Sequence, residues 1–153
     1  RRDRNLDMLI NIWKKKIFTQ NKSIKLYTTP SNLIDNNYNI FTRNFNDKKS
    51  MVKDLLKSKV LLVPGHKGEI FCIAAEEARE LCIPIVTLGI GSLSERVDHG
   101  VTGFIAKDIK EFSDYTLELF NDKNLWISLR NNLINLRGSK KWDKVAYNLI
   151  NQI

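Results

Sequence analysis

The 153-residue sequence predicts an α/β domain in which helices cover both faces of a parallel sheet. Three observations predict it. Short apolar runs alternate along the chain with stretches of helical periodicity, the pattern of parallel strands joined by crossovers. One run, Val60–Val63, is continuously apolar and stops at Pro64, as a buried parallel strand does. A glycine-flanked loop, Gly65-His66-Lys67-Gly68, follows, and a helical stretch then carries two carboxylates eight residues apart, Glu69 and Glu77.

The elements follow in order. Leu6, Leu9, Ile10, Trp13 and Ile17 recur at helical spacing, so a helix is expected over about Asn5–Phe18. Ser23–Thr29 alternates like a strand and is halted by Pro30. Ser31–Asn39 is polar and Asn-rich, a loop, and Ile40–Phe45 is a short second strand. Asp47 caps a helix through Met51, Val52, Leu55 and Leu56. After the Val60–Val63 strand come a helix from Glu69 to Leu81 and a strand over Ile83–Leu88. A tight turn at Gly89–Ser92 then leads into a short helix through Val97. Asp98-His99-Gly100 turns the chain into a last strand, Gly103–Ala106. Helices then follow at about Ile109–Phe120, Asn124–Asn135 and Lys140–Asn151.

Composition narrows the class. A hydrophobic content of 42% with 27% charged residues is that of a globular protein. The length suits one domain spanning residues 1–153. No apolar run approaches the ~20 residues that cross a bilayer, and no signal-peptide pattern opens the chain. Cys72 and Cys82, ten residues apart, fit neither a metal knuckle nor a disulfide framework, so reduced thiols and a cytoplasmic location are expected. RRDRNLDML enters a helical pattern without a leading strand, so the chain is expected to be a fragment of a longer protein. The net charge of +8 raises nucleic acid as a partner. The lysines are scattered, however, without interleaved aromatics, and a solvated basic surface suited to phosphates or to the inner face of an anionic membrane is the expectation.

The chemistry concentrates on Glu69–Leu81. On one helix, eight residues leave two carboxylates about 80° apart in azimuth and about 12 Å apart along the axis. Ile70, Ile73, Ala74 and Leu81 form one apolar stripe, with Phe71, Ala75, Ala78 and Cys82 beside it. Glu77 falls in the first stripe, whereas Glu76, Arg79 and Glu80 point to solvent. An inward carboxylate needs a partner. That partner is either a backbone amide or arginine, or the hydroxyls of a bound sugar. Glu69 at the helix start places the N–H groups of Ile70, Phe71 and Cys72 as an anion site suited to a diphosphate, or simply complements the helix dipole.

Glu69-Ile-Phe-Cys-Ile-Ala-Ala-Glu-Glu77-Ala-Arg-Glu-Leu-Cys-Ile-Pro84-Ile-Val resembles the E-x7-E region of the group-1 retaining glycosyltransferases, which share the two-domain GT-B fold. Gly91-Ser-Leu-Ser-Glu95-Arg-Val-Asp-His-Gly100-Val-Thr-Gly103-Phe-Ile-Ala is similar to the family's G-G-x-x-E-x-V-x-x-G-x-T-G segment. Arg4-Asn-Leu-Asp-Met-Leu9-Ile resembles its K-G-x-x-x-L-I helix start, and Lys141-Trp142-Asp-Lys-Val-Ala146 its last helix. The resemblance implies the Rossmann-like C-terminal, donor-binding half of a GT-B enzyme. Such an enzyme transfers a hexose from a nucleotide-diphosphate-sugar to a saccharide or lipid-linked acceptor, with the acceptor held by an N-terminal domain and no metal or cofactor required. By that resemblance Glu69 is the catalytic-site carboxylate on the donor sugar and Glu77 holds the ribose. Ile70, Phe71, Cys72, Gly91 and Ser92 lie against diphosphate and sugar, and Arg4 and Lys67 meet phosphate. Glu95 stands near the nucleotide. Arg1, Arg2 and His66 are further candidates. The isolated fragment is expected to bind donor without turnover. A GT-B-fold nucleotide-sugar epimerase or sugar-phosphate synthase is the alternative, and a non-enzymatic nucleic-acid module a third. Four family glycines are replaced, by Asn5, Cys72, Cys82 and Ser92, and Cys72 is expected to keep the backbone farther from the ligand.

Overall fold

Strand–helix alternation is realised over residues 5–29, 33–43 and 47–138, which the computed structural model describes. Helix α1, Leu6–Ile12, buries Leu9 and Ile12, then widens into a π-helical segment, Trp13–Ile17, that buries Trp13 and Ile17. The expected helix is therefore α-helical only in its first half. The Trp13 indole N–H donates to the Tyr38 carbonyl at 2.8 Å, which fixes the wide turn against the strands that follow.

Strand β1, Leu26–Thr28, pairs in parallel with β2, Ile40–Thr42. Both are shorter than the alternation suggested. The backbone before Leu26 is held by a side chain instead of a ladder: Asn39, in the left-handed region at φ 51°, donates its amide to Lys22 and Ile24 carbonyls. The Asn-rich loop contains a 3₁₀ turn, Asn36–Tyr38, capped by Asp35. Helix α2, Lys48–Leu55, starts as expected, with the Asp47 carboxylate accepting from the Ser50 N–H at 2.9 Å.

Strands β3, Leu61–Gly65, β4, Ile85–Ile90, and β5, Gly103–Ile105, make a parallel sheet in that order. Among the described residues the strands thus form two parallel sheets, a pair and a triplet, rather than one. The period-2 alternation of strands shows how the layers are built. Leu62, Val86, Leu88 and Phe104 face a core shared with α1, the π segment, β1 and β2; it also takes Phe112 and Leu119 of α4, Ile109–Asn121, and Leu129 of α5, Lys123–Leu136. Leu61, Val63, Ile85 and Ile105 face the opposite way, onto a second core with Ala75, Ala78, Leu93 and Val97. Helices therefore cover both faces, as expected. Asp108 and Asp122 cap α4 and α5 through the N–H groups of Glu111 and of Asn124 and Leu125. The helix expected at Lys140–Asn151, with Trp142, lies outside the described residues.

Candidate functional site

The site is assembled at the carboxyl end of β3, where ligands of open α/β sheets bind. The register of β3 against β4 slips between Val63 and Gly65, so β3 ends out of step with its neighbour. The Gly65 carbonyl accepts from the Asn5 side-chain amide, which pins the start of α1 beside the loop. His66 closes a tight turn: its carbonyl accepts from the Glu69 N–H at 2.9 Å and its Nδ1 from the Gly68 N–H at 3.0 Å.

The helix does not begin at Glu69. Helix α3 spans Ile73–Glu80, with Cys72 as its extended N-cap residue. The physical reason is the Glu69 carbonyl, which a helix starting there would aim at the Ile73 N–H. It accepts instead from the Ser92 N–H at 2.9 Å. Glu69 and Glu77 are therefore not on one helix, and the separation expected from helical geometry does not apply. The N–H groups of Ile70, Phe71 and Cys72 belong to the loop, and the first-turn helix donors are those of Ile73 and Ala74.

The buried face of α3 also differs from the expected one. Ile70 and Ile73 of the first stripe and Phe71 of its neighbour are 90%, 63% and 50% exposed, and the buried residues are Ala75, Ala78 and Cys82 of the neighbouring stripe with Cys72, which belonged to neither. Glu77 is only half-buried, and its carboxylate makes no hydrogen bond or ion pair among the described residues. The burial cost that demanded a partner does not arise, and the carboxylate remains available to a ligand. Glu76, Arg79 and Glu80, expected in solvent, form a network. Buried Arg79 donates to Glu76 at 2.9–3.0 Å and to Glu80 at 2.9 Å, and Arg96 reaches the other Glu76 oxygen at 3.2 Å. The i,i+3 spacing of Glu76 and Arg79 was a visible signal for half of it; Arg96 comes from another element and left none.

The second wall is a 3₁₀ segment, Gly91–Glu95, following β4. Gly91, at φ +70°, lies so close to the loop that a Cβ there would stand 2.5 Å from the His66 carbonyl oxygen and 2.9 Å from that of Glu69. Ser92 is buried, its hydroxyl without a hydrogen bond among the described residues. Glu69, Gly91 and Ser92 are thus brought together, with Phe71 and Cys72 on the same loop. Lys67, His66 and Glu95 are exposed near it, and His66 meets Glu69 through the backbone, its carbonyl accepting from the Glu69 N–H. Arg1, Arg2 and Arg4 lie outside the described residues. Cys72 is 1% exposed and its side chain enters the second core with Leu93 and Val97, so the thiol occupies the core and not the loop's outer side. Cys72 and Cys82 are both buried and form no disulfide. Among the described residues no cluster of three or more His, Cys, Asp or Glu could hold a metal, and no helix is long and apolar enough to cross a membrane.

An open groove of about 540 Å³ lies beyond β4, lined by Met8, Leu88, Ile90, Ile109 and three lysines, Lys16, Lys107 and Lys110. Neither Glu69 nor Glu77 lines it, so its size adds nothing to the case for the carboxylate loop.

The carboxylate-bearing loop at the carboxyl end of β3 thus stands where ligands of open parallel α/β sheets bind. Residues 19–136 match the model of the family described as glycosyl transferases group 1. The chain belongs to that family, and its role is glycosyl transfer. Among curated proteins none matches the chain.

Proposed function

We propose that this chain is the donor-binding domain of a retaining glycosyltransferase, which transfers a hexose from a nucleotide-diphosphate-sugar to a saccharide or lipid-linked acceptor. Residues 1–153 form the single donor-binding domain of a two-domain GT-B protein whose other half holds the acceptor. The observation that carries the reading is the open Glu77 carboxylate on α3 beside the loop that Glu69 begins. Two vicinal hydroxyls of a ribose satisfy such a carboxylate with two charge-assisted hydrogen bonds. Glu69 takes the donor-sugar hydroxyls, and the loop amides with Ser92 meet the diphosphate. As the glycosidic bond breaks, leaving-group charge on the diphosphate is met by fixed N–H donors and basic side chains, which is electrostatic catalysis needing no reorganisation.

Calorimetric titration with UDP, GDP and ADP tests this. One of the three binds, and Glu77→Ala weakens it by about 10- to 100-fold, the loss of one or two hydrogen bonds to a charged group. Binding that survives Glu77→Ala unchanged removes the ribose assignment, and binding of none removes the donor-domain reading.

A further inference from the structure

Arg96 is assigned no role by any of the foregoing, yet it is the side chain that seizes the exposed part of the loop. Its guanidinium carbon stands 4.1 Å from the centre of the Phe71 ring, within stacking distance. Its Nη1 meets Glu76 at 3.2 Å, while its Nε, although buried, makes no hydrogen bond among the described residues. A guanidinium that leaves one buried N–H unpaired while lying over a ring is placed by the ring as much as by the carboxylate. Glu76 in turn is clamped by Arg79, which Glu80 also holds. The Phe71–Arg96–Glu76–Arg79 chain therefore ties the loop, the end of the 3₁₀ segment and α3 into one unit. The loop is also tied by the Ser92 N–H on the Glu69 carbonyl and by Cys72 in the second core; between Glu69 and Cys72, Ile70 and Phe71 are exposed.

We infer that Arg96 is a positioning residue: by stacking on Phe71 it holds the Glu69–Cys72 loop in the conformation that receives the donor. The inference rests on the donor-binding reading of that loop. The test uses the intact protein with Arg96→Lys, Phe71→Leu and the double variant. Lysine keeps the charge and can reach Glu76 but lacks the planar stack. The first measurement is amide exchange at Glu69 and Ser92, whose N–H groups donate to the His66 and Glu69 carbonyls. Arg96→Lys speeds it about 3- to 30-fold, the range a stacked cation spans between exposed and desolvated settings, and the double variant is no faster than the quicker single. The second is affinity for UDP-glucose and GDP-mannose as probes, which falls by a similar factor for whichever one wild type binds. Unchanged exchange in Arg96→Lys, or effects that simply add in the double variant, overturn the clamp. Faster exchange with unchanged probe affinity shows a merely structural contact and overturns the positioning role alone. A wild type that binds neither probe nor any nucleoside diphosphate overturns the donor reading and this role with it.

Discussion

Replacing Gly91 by alanine tests whether the loop and the 3₁₀ segment are locked together as described. Two costs are involved, and a second glycine separates them. Gly91 and Gly100 have nearly the same positive φ, +70° and +75°, so alanine suffers left-handed strain of similar size at either, about 1–2 kcal/mol. They differ in surroundings. A Cβ at Gly100 meets nothing within 4 Å, whereas one at Gly91 would be 2.5 Å from the His66 oxygen and 2.9 Å from that of Glu69. Backbone atoms at such distances must move, and overpacking of this kind costs about 1–3 kcal/mol more. The expected totals are about 2–5 kcal/mol for Gly91→Ala and about 1–2 kcal/mol for Gly100→Ala. At about 3 °C per kcal/mol for a domain of this size, Tm falls by about 6–15 °C against 3–6 °C. Thermal and urea denaturation of the two variants side by side measure the difference, in which the strain cancels. The atoms that must yield at Gly91 are loop carbonyls, so nucleotide affinity should drop in that variant and not in Gly100→Ala. Equal loss of stability in the two, with equal affinity, would refute the close packing of the loop on Gly91.

Three further outcomes are expected. Glu77→Gln leaves Tm within about 1.5 °C of wild type, because a polar exchange at a half-buried side chain without partners among the described residues is worth about 0.5 kcal/mol or less; thermal denaturation alongside the nucleotide titration checks that binding and stability separate. Arg79→Met removes the buried partner of Glu76 and Glu80 and should cost about 3 kcal/mol, read from a urea midpoint at unchanged m-value; a cost under about 0.5 kcal/mol would reduce the network to an exposed ion pair. The acid limb of stability should respond to two surface carboxylates. The Arg43 guanidinium holds Asp54 below its usual range, and hydrogen bonds from Lys107 do the same for Glu111. A lowered folded-state pKa gives stability that is present above the unfolded value, near pH 4, and is lost as pH falls through the folded one. Asp54→Asn and Glu111→Gln should therefore lower stability at neutral pH and above, with the difference from wild type shrinking as pH falls below about 4, and 1 M salt should shrink the effect at these exposed sites.

The layers of the fold were legible because they are written in periodicity. Val60–Val63, Asp47 and the apolar positions of α4 and α5 each predict their element from local pattern, and the structure places an element there. What was misread depends on neighbours distant in sequence. Ile70 and Ile73 belong to a good helical stripe, but the Ser92 N–H on the Glu69 carbonyl takes the acceptor a helix starting at Glu69 would use, so α3 begins only after Cys72 and these two side chains are exposed. Arg79 looked solvated because an arginine on a polar face ordinarily is, and its burial depends on carboxylates on either side and on Arg96 twenty residues after Glu76. The split into two sheets lay equally beyond local pattern, since strand propensity does not say which edges meet.

The four positions where this chain departs from the family's glycines sharpen the point, because they divide by backbone and not by residue size. Asn5 and Cys82 are both left-handed, at φ 62° and 56°, so the conformation a glycine allows is kept without the glycine. Asparagine tolerates that region and uses its amide on the Gly65 carbonyl. Cys82 closes α3 in a Schellman turn, its N–H on the Arg79 carbonyl and the Ile83 N–H on that of Ala78. Cys72, at φ −81°, and Ser92, absent from the left-handed set, need no glycine. A Cβ at those two positions is accommodated, with Cys72 turned into the core and Ser92 buried against the loop it bonds. The ordering of variants at Cys82 follows. Both variants lose the buried sulfur, but glycine relieves about 1–2 kcal/mol of left-handed strain that alanine retains. Cys82→Gly should therefore be more stable than Cys82→Ala by about 1 kcal/mol, even though glycine is the smaller residue and the looser chain when unfolded. Urea denaturation of the pair decides it. Alanine equal to or better than glycine would mean that packing of the side chain, and not the backbone, selects the residue at the end of α3.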